Sequence, residues 1–113
     1  MKNILMILAL ASTFLGAQTY AQDLVCSAYV NSEFVFMNQI TPENNAKVLI
    51  GREPNFTAYI TQKDSHVYVL EAFIVNQETR IYSEGSITQP DSHIKLSLWS
   101  RDEIIDIDCT PAK

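Results

Sequence analysis

The chain has 113 residues, with 8 Lys+Arg against 13 Asp+Glu, and a formal net charge of −5. That length supports one domain with a modest core. An acidic balance without a basic stripe argues against nucleic acid or an anionic membrane surface as a partner.

Residues 1–21 read as a signal peptide. Lys2 forms the positive start, Ile4 to Leu15 is nearly all apolar, and Thr19-Tyr20-Ala21 places small residues at the −3 and −1 positions of a cleavage site. The apolar run is shorter than the roughly 20 residues a membrane span needs. Val25 before Cys26 does not suit a lipid-modified cysteine. Cleavage after Ala21 leaves 113 − 21 = 92 residues with 7 Lys+Arg and 13 Asp+Glu, a charge of 7 − 13 = −6. The expectation is a secreted or periplasmic domain at 22–113, with no membrane span after cleavage.

Beyond residue 22 no apolar period of 3.6 residues lasts three turns. Eight short β-rich runs follow instead: Leu24–Val30, Phe34–Ile40, Ala46–Ile50, Phe56–Thr61, His66–Val75, Arg80–Thr88, His93–Ser100 and Ile104–Cys109. Turn-forming residues separate them, among them Asn31-Ser32, Thr41–Asn45, Gly51–Pro54 and Gln89–Ser92. Short loops join antiparallel neighbours, so an up-and-down meander is the simplest topology. Alternation puts Leu24, Cys26, Ala28 and Val30 on one face. It does the same for Phe34, Phe36 and Ile40, for Ile94, Leu96 and Leu98, and for Ile105, Ile107 and Cys109. The fifth run fits two registers. One buries Val67 and Val69. The other buries Leu70, Ala72 and Ile74, pairing Phe73 with Tyr82 and Glu71 with Glu84. A bulge near Leu70 or Glu71 would reconcile them.

Cys26 and Cys109 are the only cysteines. In an exported chain the default for such a pair is a disulfide. Its geometry needs Cα atoms within about 7 Å, which brings the first strand beside the last. The predicted architecture is therefore all-β: an eight-stranded antiparallel meander closed as a small barrel or barrel-like sandwich. In size, strand count and disulfide placement it resembles the small calycin-type and lysozyme-inhibitor-type barrels of exported bacterial proteins. The inhibitor family's serine-glycine and tyrosine loop motif is absent, so the resemblance carries over no functional residue.

Ile60–Val67 and Ile87–Ile94 match at all but two positions, 27 residues apart. Each copy reads as a turn in which Asp and Ser accept local backbone hydrogen bonds. A second reading gathers Asp64, His66, Asp91 and His93 around a metal. Facing carboxylates at Glu71 and Glu84 would permit acid–base chemistry, and Asn55-Phe56-Thr57 fits a glycosylation sequon. The opposite rim gathers Arg52, Arg80 and Arg101 with Trp99, residue types that concentrate at binding hot spots. The resulting expectation is a non-catalytic module without cofactor, binding a protein or small molecule at that end. The alternatives are an inhibitor of a secreted hydrolase, or a metal-dependent or carboxylate-based hydrolase.

Overall fold

A computed structural model of the protein describes residues 22–113; the expected signal peptide, residues 1–21, lies outside the described residues. The strands are β1 (Leu24–Val30), β2 (Glu33–Ile40), β3 (Val48–Arg52), β4 (Phe56–Gln62), β5 (Val67–Ile74), β6 (Thr79–Ser86), β7 (Ile94–Trp99) and β8 (Ile104–Pro111). They form two antiparallel sheets, ordered β2-β1-β8-β7 and β3-β4-β5-β6. Cys26 and Cys109 are directly paired across β1 and β8 and joined by a disulfide, with Cα atoms 4.0 Å apart. The first and last strands thus lie side by side as the cysteine spacing requires.

A closed barrel is not found. No backbone ladder joins β2 to β3 or β6 to β7, so the meander divides into two sheets over one core. Side chains fill both seams. At the first, a Cβ on Gly51 would fall 2.5 Å from the Phe36 ring, so only glycine lets that ring cross β3. Asn38 Nδ2 bridges the same seam by donating to the Ile50 carbonyl at 2.8 Å. At the second seam a Cβ on Gly85 would sit 3.2 Å from Ile94 Cγ1. Backbones held apart by a ring or a branched side chain cannot reach hydrogen-bonding distance.

The interior is filled. Leu24, Phe56, Ile60, Tyr68, Leu70, Ile105 and Ile107 are essentially inaccessible, and each such side chain contributes about 1.5–3 kcal/mol by leaving water. Alternation reads correctly in β1, β7 and β8, where Asp106 and Asp108 face outward between Ile105, Ile107 and Cys109. Asn31 and Ser32 both take positive φ, as a two-residue hairpin turn with native twist requires.

Three expectations are corrected. Phe34 does not share a face with Phe36: the β1–β2 register shifts between Ala28 and Tyr29, pairing Phe36 with inward Ala28 but Phe34 with outward Tyr29. The extra residue, Val35, is a bulge, which reverses the alternation. Val67 and Val69 face outward rather than inward. Leu70, Ala72 and Ile74 are buried instead, and β5 pairs with both neighbours without a bulge. The β5–β6 partners also differ by two positions, with Glu71 opposite Tyr82 and Phe73 opposite Arg80. A 3-10 turn starts at Val75 and Glu78 closes it in the left-handed conformation, so the loop comes one residue earlier than expected.

Candidate functional site

The outer face of the second sheet carries a concentrated array of charge and aromatic surface. Its strand registers order the outward residues into rows. Arg52, Thr57, Phe73 and Arg80 form one row, and Leu49, Tyr59, Glu71 and Tyr82 form the next. Lys47 precedes β3 and Lys63 follows β4, adding cations at the sides.

Glu71 is the centre of this face. A carboxylate pointing away from the core is ordinarily solvated, yet Glu71 is only 4% exposed. Lys47 Nζ donates to Glu71 Oε2 at 3.0 Å, and Arg80 donates from one terminal guanidinium nitrogen to the same oxygen at 2.7 Å. Both cations also lie over rings, Lys47 5.3 Å from the centroid of Tyr59 and the Arg80 guanidinium 4.9 Å from that of Phe73. Each long side chain is fixed at two points while keeping about half of its surface in water. Ordering an arginine before contact removes part of the entropy that binding would otherwise cost. The clamp holds Arg80 against the Phe73 ring in a fixed arrangement.

Among the predicted residues, Arg52 and Arg80 share a row, three strands apart, with Thr57 and Phe73 between them. Trp99 lies at the end of β7 on the outer face of the first sheet and is 77% exposed. Arg101 is exposed in the β7–β8 turn, which Ser100 closes by hydrogen bonds with Glu103. Counting along β6 and β7 from the Gly85–Ile94 contact puts Arg80 and Trp99 at one level on either side of the seam. All four residues lie toward one end of the sandwich, on different faces.

The other candidates separate. Glu84 sits opposite Val69 and pairs with Lys63 at 2.9 Å, so no facing pair of carboxylates exists with Glu71. His93 Nδ1 lies 2.9 Å from an Asp108 oxygen. No group of three or more metal-ligating side chains occurs among the described residues. The repeated segments behave as turns: Asp64 accepts from the Ser65 amide, and Ser92 Oγ accepts from the Thr88 and Gln89 amides. Within the sequon, Asn55 Nδ2 donates to Glu103 at 3.0 Å.

Lys47 and Tyr59 carry no sequence signal of their own. The available signal was Glu71 itself: an outward carboxylate between Leu70 and Ala72 on a central strand needs a cation within reach. Lys47 is one residue before Val48, which pairs with Ile60. Comparison of the chain with protein-family models, curated proteins and solved structures returned no match.

Proposed function

We propose that the protein is an exported, non-catalytic binding module whose contact surface is the outer face of the second sheet. The observation that carries this reading is the Glu71 clamp, which fixes Arg80 over Phe73 beside the exposed ring of Tyr82. Arginine and tyrosine in a pre-ordered, partly desolvated patch are the groups that dominate protein interfaces. The disulfide suits an oxidising compartment, and among the described residues no helix is long and apolar enough to cross a membrane.

The test is capture of a partner from the host's exported fraction by immobilised protein. Arg52→Ala with Arg80→Ala should abolish capture, whereas Arg101→Ala, on the turn, should leave most of it. Undiminished capture by the double variant would remove this face from consideration.

A further inference from the structure

The first sheet presents a surface of the opposite kind. Phe34, Tyr29, Asp106 and Ser97 form one outward row, and Met37, Ser27, Asp108 and Lys95 the next. Tyr29, Phe34, Met37 and Trp99 are four of the exposed large hydrophobic residues, at 36%, 58%, 58% and 77%. Tyr29 and Phe34 pack edge to face with centroids 5.9 Å apart, a rigid aromatic ledge beside Asp106. Asp23, bonded to Gln39 and Thr41, adds a third carboxylate just before β1. This face carries Asp23, Asp106 and Asp108 against Lys95, with His93 hydrogen-bonded to Asp108, while the other carries Lys47, Arg52, Lys63 and Arg80 against Glu71 and Glu84.

We infer that the partner of the second sheet's outer face is a second copy of this chain, docked through the outer face of its first sheet. The inference rests on the binding surface proposed above and names its occupant. Charge selects this pairing over the alternatives. Two first-sheet faces brought together would oppose carboxylates, and two second-sheet faces would oppose cations. Only the mixed pairing sets unlike charges opposite each other, with exposed apolar side chains on both sides, a complementarity that steers encounter and fixes orientation. Because the faces lie on opposite sides of the sandwich, each docked copy leaves one face of each kind free. Such head-to-tail contacts generate open chains rather than closed dimers.

Sedimentation velocity on the mature wild-type protein tests this. The weight-average mass should rise with concentration without a dimer plateau at low salt. It should return toward monomer near 1 M salt, where the screening length falls to about 3 Å. Arg52→Glu with Lys63→Glu should raise the concentration needed by about tenfold or more, the equivalent of about 1.4 kcal/mol. Asp106→Lys with Asp108→Lys should do the same, and mixing the two variants should restore association. No restoration from two folded variants would overturn the inference.

Carbodiimide coupling of wild-type copies, one isotopically labelled, gives a test independent of the variants. The reagent joins Lys Nζ to a carboxylate as an amide with loss of water. It should link Lys47 or Lys63 of one copy to Asp106 or Asp108 of another. Only same-face links, or none, would overturn the inference. A protein that stays monomeric at low salt, yet loses capture of another partner on Arg52→Ala with Arg80→Ala, would refute self-docking and retain the binding surface. Failure of both experiments would remove both.

Discussion

Replacing both cysteines with alanine should bring the domain close to unfolding. The disulfide joins residues 83 positions apart, spanning nearly the whole described chain. In the chain-entropy account, opening a loop of that length costs about 4.5 kcal/mol. Domains of this size have total stabilities of roughly 5–15 kcal/mol, so the loss is a large fraction. Urea titration followed by far-ultraviolet circular dichroism is the suitable assay, since Trp99 is exposed and its fluorescence reports little on folding. With a urea dependence of about 1–1.5 kcal/mol per molar, the midpoint should fall by about 3–4.5 M. Both sulfurs are fully buried, so the alanines also leave a small void that adds to the loss. A loss below about 1 kcal/mol would refute the reasoning. It would mean that the β1–β8 ladder holds the ends together without help from the cross-link.

Three further outcomes follow from single sites. Gly51→Ala should destabilise by about 1–3 kcal/mol because its Cβ meets the Phe36 ring. Adding Phe36→Leu should recover part of that loss in urea titrations, and strict additivity would contradict the seam packing. Glu71→Gln should cost about 1–2 kcal/mol, a figure already discounted for the half-exposed Lys47 and Arg80, and should mobilise the Arg80 side chain in NMR relaxation. An unchanged Arg80 order parameter would show that Phe73 alone holds it. Burial raises the Tyr68 phenol above its ordinary value of 10.0. The folded state therefore retains a proton that the unfolded chain releases, so the contribution of Tyr68 is fully present below that value and is lost as pH rises through the raised folded one. Tyr68→Phe should flatten this alkaline decline in melting temperature, and an undiminished decline would assign it to other groups.

Much of the fold is legible in the sequence because burial on one face imposes a period of two. Cys26 and Cys109 fall on the apolar side of β1 and β8, and that placement alone predicts the directly paired bond found between them. The reading fails where a single inserted residue or an early turn reverses that period. Val35 turns Phe34 outward, and the turn at Val75 moves the partners of Glu71 and Phe73 by two positions. Neither event leaves a hydrophobic signature. Barrel closure is not decided by strand count either, because ladder breaks depend on what crosses Gly51 and Gly85 from a neighbouring strand.

Site residues were legible as types and less so as an arrangement. Arg52 and Arg80, alike in chemistry, share a row, whereas Trp99 and Arg101 belong to a strand and turn of the other sheet. The clamp at Glu71 depends on a register two positions from the expected one, so its partners could not be named in advance. Lys47 reaches it from outside any strand.

The most direct test of the proposed surface is site-specific photocrosslinking in the producing cell. A benzophenone side chain at position 82, next to the clamp, should yield a discrete adduct. The same group at the exposed position 89, at the other end of the sandwich, should yield none. Equal adducts at both positions, or none at 82, would contradict binding through the second sheet's outer face.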